Sequence, residues 1–519
     1  MTDRPSGFPR REFLAGAAAA SSLALGRGAL RADETATRSA SSRFGSATSS
    51  TAIENDKPGA DDWQLTRVRV DGSGIRCPWI EGYCTKQSVL PGESIDFCVS
   101  LNPAGEFRCE VFRLGYYGGK GARLMTTLER IPGQPQPDPE VGPKRIRECK
   151  WQPTITLPIP DDWPSGVYLG RLTRESDRPT DVPWQSYVVF IVRSNRSADI
   201  LVQCSDNTWQ AYNRWPDTFS LYDTEDAAWA LESGVHISFD RPYGKYRQIY
   251  DNPQSLGSGE FLCWEFPLAY FLESHGYDVA YCSNSDLLTP DLGLRHKVFV
   301  SVGHDEYWDV RQYESVRRMI DEGVNAFFLC GNSVCFVAPF RESHDGRPHR
   351  ILTRAGCFGE MTDKEKQAIP GLEAAGPDED LLIGARTVIP FNGGGDWIVT
   401  KPDHWLFEGT GMKPGDAIPG LVGWEHHGAP ADIPGLEVVA EGTVVTGGGE
   451  PSDWTATIYP GPKGNFVFNA ATIFWSQGLS SPPGHMLPWS HNTRPHGPDP
   501  RVQRIMHNAL ARALKGDAT

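Results

Sequence analysis

The stretch 297–308, K-V-F-V-S-V-G-H-D-E-Y-W, constrains the fold of this 519-residue chain more than any other part of it. Its first six residues are almost all apolar, which is typical of a strand buried on both faces of a parallel sheet. Gly303 then breaks the strand. Asp309, with a glutamine three residues later, predicts the start of a helix, and Gly323 predicts its end. The sequence therefore predicts a strand, a polar turn and a helix in direct succession.

Polar residues follow each of four predicted strands, which cover 200–204, 277–281, 297–302 and 326–329. The carboxyl ends of parallel strands meet at one edge of a sheet, where open α/β folds usually bind ligands. The chain returns to this sheet at 465–469 and finishes with an amphipathic helix at 500–514. We therefore predict a flavodoxin-like or glutamine-amidotransferase-like α/β domain over 196–519, with a long loop-rich insertion at 353–464.

Short runs of alternating polar and apolar residues precede this domain, for example at 94–100 and 107–114. Glycine and proline separate the runs, which is typical of an antiparallel β-sandwich. We assign this N-terminal sandwich to 62–195. The predicted fold class is a multidomain α+β protein.

The first 32 residues have the pattern of an export signal. Arg10 and Arg11 precede a short alanine-rich apolar run at 13–25, which matches the twin-arginine type of signal. The run is too short for a stable membrane anchor, which needs about 20 residues, and no later stretch comes near that length. We predict a periplasmic or secreted protein, with 33–61 as a flexible linker. A disordered leader without an export role is the other interpretation.

The net charge of −15 makes nucleic acids and anionic membranes poor partners for this chain. This charge is compatible with small neutral or cationic substrates. The eleven cysteines include no C-x-x-C pair, so a zinc ribbon or thioredoxin-like site is not predicted. Where a flavodoxin-like amidase or a glutamine amidotransferase would carry a nucleophilic Cys or Ser, this chain has His304, which argues against covalent catalysis at that position.

The candidate chemistry therefore lies in polar residues that follow the strands. His304 and Glu306 follow the central strand, while Tyr212, Tyr222 and Asn332 lie in neighbouring loops. Carboxylates and phenolates are hard oxygen donors that suit a hard cation such as ferric iron. A histidine and a glutamate beside a tight turn also fit a simple cap and a solvated charge, and composition alone does not separate the two interpretations.

Five motifs resemble the large subunit of the N,N-dimethylformamidase family. They are E-G-Y-C-T-K-Q-S-V-x-P-G-E at 81–93, F-R-L-G-Y-Y-G-G-x-G-A-R at 112–123, D-N-T-W-Q-A-Y-N-R-W at 206–215, S-F-D-R-P-Y at 238–243 and S-V-G-H-D-E-Y-W at 301–308. The similarity extends over about 62–515. This resemblance implies a mononuclear non-haem iron, Fe³⁺, bound by two tyrosines and one glutamate.

The resemblance places the metal ligands at Tyr212, Tyr222 and Glu306. It makes His304 and Asn332 neighbours of the metal and Glu425 an acidic residue of the active site, and these three are the predicted catalytic residues. The loop between the two tyrosines is shorter than in the family, so Tyr243 and Tyr307 compete with Tyr222 for the role of second phenolic ligand.

The resemblance implies hydrolysis of a small linear amide of the formamide type by iron-activated water. It also implies a small partner subunit, with a homo-oligomer as the other arrangement. The alternative function is an exported ligand-binding protein that keeps the fold without turnover.

Overall fold

A computed structural model describes residues 44–515 apart from 47, 176–181, 227–233, 245–260, 370, 389–392, 424, 447–448 and 488–495. The predicted export signal lies outside the described residues. Within them the protein is a mixed α+β structure rich in β-strands. None of the described helices combines the length and the apolar character that crossing a bilayer requires.

Within the described residues, the N-terminal region contains one short α-helix and two sheets. Its elements are α1 (Ser50–Asn55), β1 (Ile80–Cys84), β2 (Ser88–Val89), β3 (Ser94–Leu101), β4 (Gly105–Leu114), β5 (Ala122–Gly133), β6 (Ile155–Pro158), β7 (Gly166–Arg174) and β8 (Gln185–Val192). The sheets have the strand orders β1-β3-β6 and β2-β8-β7-β4-β5. Both contribute to one apolar core, where Phe97 of β3 packs with Val111 of β4 and Leu172 of β7. The alternating runs in the sequence are these half-buried strands.

Part of the stretch expected to be a flexible linker is ordered. Helix α1 begins after Ser49, whose side chain caps it by accepting a hydrogen bond from the Ala52 amide. Asn55 at its end donates to Glu273 Oε2 over 2.7 Å. The helix docks on the C-terminal region through such contacts, which composition alone does not reveal.

The remaining strands belong to the C-terminal region. They are β9 (Ile200–Cys204), β10 (His236–Ser238), β11 (Val279–Ser283), β12 (Val298–Gly303), β13 (Tyr307–Trp308), β14 (Asn325–Cys330), β15 (Phe336–Val337), β16 (Phe340–Arg341), β17 (Ile351–Thr353), β18 (Gly356–Phe358), β19 (Ala374–Gly376), β20 (Ala385–Thr387), β21 (Gly393–Ile398), β22 (Ala417–Gly423), β23 (His427–Pro430), β24 (Glu437–Thr446), β25 (Pro451–Pro460) and β26 (Phe466–Asn469). The helices are α2 (Asp206–Tyr212), α3 (Phe266–Ser274), α4 (Val310–Asp321), α5 (Asp363–Ala368), α6 (Asp380–Ile383) and α7 (Pro500–Lys515).

A mixed sheet organises this region, and its strand order among the described residues is β11-β9-β12-β14-β26-β25-β24-β21-β22. The first five strands run parallel, and the pairs from β26 to β22 are antiparallel. Strand β12 is buried along its whole length. Val300 packs in one apolar core and Phe299 in a second core on the opposite face, which explains why the strand is almost entirely apolar.

The 353–464 stretch differs from the loop-rich insertion expected there. Strands β21, β22, β24 and β25 lie within it and extend the central sheet. The signal for these strands is weak because β21 begins with three glycines and two of the strand pairs, β21 with β22 and β24 with β25, contain register shifts that interrupt a period of two.

A buried ion pair joins the N-terminal sheets to the C-terminal region. Arg113 of β4 lies 2.9 Å from Glu273 of α3, measured from Nη2 to Oε1, and both side chains are almost fully buried. Tyr281 of β11 also donates to this carboxylate, over 2.8 Å. All eleven cysteines are buried free thiols.

Candidate metal centre

The turn after β12 carries two of the side chains at the carboxyl edge of the sheet. Gly303 has a φ angle of 72°, and a Cβ atom at this position would lie 2.5 Å from Cβ of Trp264. Both features favour glycine. His304 and Glu306 follow, and each is almost fully buried, with 1% and 2% of its surface exposed. They are two residues apart in an extended turn, so their side chains lie on the same side of it.

Asp305 anchors this turn from the opposite side. Its Oδ2 accepts hydrogen bonds from Ser301 Oγ and from Gln203 Nε2, each over 2.6 Å. Burial raises the pKa of Asp305 to about 6, while the hydrogen bond from Ser301 acts in the opposite direction. The carboxyl group thus ties the turn to the ends of β12 and β9.

His304 lies between two carboxylates. Its Nε2 atom is 3.2 Å from Glu306 Oε2 and 3.2 Å from Glu425 Oε2. One ligand atom from each of the three residues can be chosen so that all lie within 4.8 Å of one another. Three buried ligating groups at this separation are able to surround a single metal ion.

Two phenols complete the cluster. Tyr212 ends α2, and its hydroxyl accepts a hydrogen bond from the Tyr222 hydroxyl over 2.8 Å. The Tyr222 hydroxyl is also 3.4 Å from Glu306 Oε2. Thr208, one helical turn before Tyr212, accepts a hydrogen bond from the Glu306 amide over 3.1 Å and so fixes α2 against the turn.

Asn332 approaches Glu306 from the turn after β14. Its Nδ2 donates to Glu306 Oε1 over 3.3 Å, and among the described residues its buried Oδ1 atom has no hydrogen-bond partner. Asn332 and Val334 have φ angles of 54° and 53°, which is unusual for a β-branched residue such as valine. His427 holds this strained turn, because its Nε2 accepts the hydrogen bond of the Ser333 amide over 3.2 Å.

The protein environment disfavours ionisation of both phenols. Burial, and next the charge of Glu306, raise the pKa of Tyr212 and of Tyr222 well above the usual value for tyrosine. A cation among these oxygens would lower the pKa of both phenols. Any metal bound here by phenolate must therefore displace phenolic protons.

The structure also distinguishes Tyr307 from Tyr243, the two alternatives to Tyr222 as second phenolic ligand. The Tyr307 hydroxyl donates to the Tyr222 hydroxyl over 2.6 Å, and Arg354 Nη1 donates to Tyr307 over 3.2 Å. Tyr243 pairs instead with Gln210, which helical geometry places on the side of α2 away from Tyr212. Of the two, only Tyr307 contacts the cluster through a described hydrogen bond.

The structure brings together the residues predicted from the sequence, namely Tyr212, Tyr222, His304, Glu306, Asn332 and Glu425. Their roles as ligands or catalytic groups stay predictions. Sequence reasoning missed Arg354 and Thr208. Thr208 lies four residues before Tyr212 in a helical segment, and that spacing was the available signal. Nothing in the sequence around Arg354 marks it.

A buried group of two phenols, two carboxylates and an imidazole at the carboxyl edge of parallel strands defines a protein with a candidate site for a hard metal ion. A sequence profile described as N,N-dimethylformamidase beta subunit-like, C-terminal, matches residues 108–491, which is well over half of the chain. The chain belongs to this family, whose name suggests a hydrolase of the dimethylformamidase type. No curated protein matches the chain.

Proposed function

We propose that this protein is an exported, iron-dependent hydrolase of small linear amides. The observation that carries the proposal is the convergence of the Tyr212 and Tyr222 hydroxyls with the Glu306 carboxylate in one buried cluster. Membership of the dimethylformamidase-like family supports the reaction class. For the fold, we propose a flavodoxin-like arrangement around β9, β12 and β14, with an N-terminal β-sandwich.

The residues present fit a trivalent hard cation. Tyr212, Tyr222 and Glu306 would hold it, since two phenolates and one carboxylate provide hard oxygen ligands whose charge matches Fe³⁺. When bound, such an ion supplies Lewis acidity, which polarises a carbonyl group and makes water nucleophilic near neutral pH.

The neighbouring side chains then transfer the protons and stabilise the developing charge. His304 Nε2 is placed to accept a proton from the attacking water, and the Glu425 carboxylate at 3.2 Å stabilises the imidazolium that forms. His304 returns the proton to the amide nitrogen as the carbon–nitrogen bond breaks. Asn332 Nδ2 is placed to donate to the carbonyl oxygen as it gains negative charge.

The test combines metal analysis, an optical spectrum and an assay on one purified sample. We expect iron, a visible phenolate-to-iron band, and release of amine from at least one member of a panel of formamides and acetamides. Iron-loaded protein that hydrolyses no amide but retains a small ligand would favour the binding-protein alternative. Protein that isolates with zinc and without the band would contradict the iron assignment.

We also propose export by the twin-arginine route, which Arg10 and Arg11 support. Changing both to lysine should keep the protein in the cytoplasm, because this route requires the arginine pair. Fractionation of cells producing either form, with immunodetection, measures the outcome. Equal amounts of processed protein outside the inner membrane for both forms would refute the proposal.

We propose in addition that the substrate is a small amide and that the chain associates with a small second subunit, which the beta subunit-like family description favours over a simple homo-oligomer.

A further inference from the structure

Arg354 places a permanent positive charge beside the phenols of the candidate centre. Its side chain is almost fully buried, with 1% exposed. The guanidinium carbon lies 4.9 Å from the ring centre of Tyr222 and 5.1 Å from that of Phe336. Its Nη2 donates to the carbonyl oxygen of Leu221, the residue before Tyr222, over 3.0 Å. Arg354 thus contacts both the ring and the backbone of the segment that presents Tyr222.

The hydrogen bonds that start at Arg354 have a fixed direction. Arginine donates but cannot accept, so the Tyr307 oxygen is the acceptor of the 3.2 Å bond from Nη1. The single hydroxyl hydrogen of Tyr307 then goes to Tyr222, 2.6 Å away. Tyr222 in turn donates toward Tyr212 or Glu306. Tyr307 and Tyr222 therefore each receive one hydrogen bond and donate their own hydrogen towards the cluster.

This direction matters for a metal ligand. A metal bound by Tyr222 would take the place of its hydroxyl hydrogen, which points towards Tyr212 and Glu306, and the hydrogen bond that Tyr307 donates to the same oxygen would be kept. Tyr307 itself has its oxygen engaged by Arg354 and its hydrogen engaged by Tyr222, so it suits the role of donor and not that of ligand.

We infer that Tyr307 and Arg354 are positioning residues that hold Tyr222 as a metal ligand and limit how much electron density its oxygen gives to the metal. This inference rests on the proposed iron site and adds to it two residues that the metal does not touch. Outer partners of metal ligands commonly orient the ligand and tune the metal, and their loss typically costs about 10–100-fold in metal affinity.

The deciding variant is Tyr307→Phe. It removes the hydroxyl and keeps the ring, which stacks on Phe336 with ring centres 5.2 Å apart, so the fold should persist. Without the donor, the Tyr222 oxygen is richer in electrons, which should shift the band, and it is less well oriented, which should weaken metal binding. We expect the phenolate-to-iron band to move to longer wavelength and the iron affinity, measured by competition with a chelator, to fall by about 10–100-fold.

Tyr243→Phe is the matched control, because it removes a phenol that pairs with Gln210. Its band and iron affinity should equal those of the wild type.

Arg354→Lys is the second test, since it keeps the charge but loses the paired donors. Its band should shift in the same direction as that of Tyr307→Phe. Should Arg354→Lys fail to fold, Tyr307→Phe decides alone.

The outcomes separate this inference from the proposed function. A Tyr307→Phe protein with the wild-type band and affinity overturns the inference and leaves the iron site intact. A shifted band in a protein that hydrolyses no amide supports the inference and contradicts the proposed reaction. A wild type without a phenolate-to-iron band overturns both.

Discussion

Replacing Tyr212 by phenylalanine should weaken the visible band and lower iron affinity by more than about 100-fold, beyond the usual effect of losing an outer partner. The hydroxyl of Tyr212 lies 2.8 Å from that of Tyr222, so its loss leaves one phenol where two converge. The ring contributes to packing against His304, with ring centres 4.7 Å apart, and phenylalanine retains it. Iron content by elemental analysis and the optical spectrum measure the effect.

Tyr313→Phe is a suitable control for this experiment. Tyr313 lies on α4, and its hydroxyl donates to the Asp378 carbonyl over 2.9 Å, outside the cluster. Its loss should leave the iron and the band unchanged. A full band in Tyr212→Phe would remove Tyr212 from the ligand set.

Because burial and Glu306 raise the pKa of Tyr212, its phenol is protonated near neutral pH without a cation. Iron affinity should therefore rise with pH as protons are released.

The His304→Ala protein should retain most of its iron and lose turnover by a factor of about 100–10,000, the usual contribution of a general base. His304 Nε2 is 3.2 Å from both Glu306 and Glu425, which suits proton transfer beside the ligand set. The phenols and Glu306 stay in place in this variant, so binding and catalysis should separate. Iron content and amine release, measured on the same preparation, give the result.

His296→Gln provides the comparison. His296 lies two residues before the start of β12, at the opposite edge of the sheet, and its Nδ1 bonds to the Ala198 carbonyl over 2.8 Å. We expect wild-type turnover from it. If His304→Ala is as fast as the wild type, the proton-transfer role is wrong, whereas loss of iron together with activity would make His304 a ligand.

Sequence patterns alone identified the elements with the strongest periodicity. Strand β9 has the predicted bounds, and β12 and β14 differ from prediction by one residue at each end. Helix α4 begins after Asp309, as predicted from the cap, although the Asp309 side chain accepts from Arg311 and not from Gln312. These features follow from local chemistry, because a parallel strand buried on both faces is largely apolar and a helix start needs an acceptor.

The same patterns indicated part of the site, because His304 and Glu306 follow β12 directly and their spacing places them on one side of the turn. The family resemblance was needed to assign the tyrosines as metal ligands and Glu425 as an acidic residue of the active site. The strands of 353–464 escaped prediction, since glycines and register shifts hide their period.

Only the tertiary structure decided which distant residues meet. Tyr222 and Glu306 are 84 positions apart, and Tyr307 and Arg354 are 47 apart, yet each pair is in contact. It also distinguished Tyr307, a donor to Tyr222, from Tyr243, which pairs elsewhere. Residue type and local spacing specify which groups are able to bind a metal. Which of them share one buried volume depends on how the loops of separate strands pack at the sheet edge, and that packing is set by contacts across the whole chain.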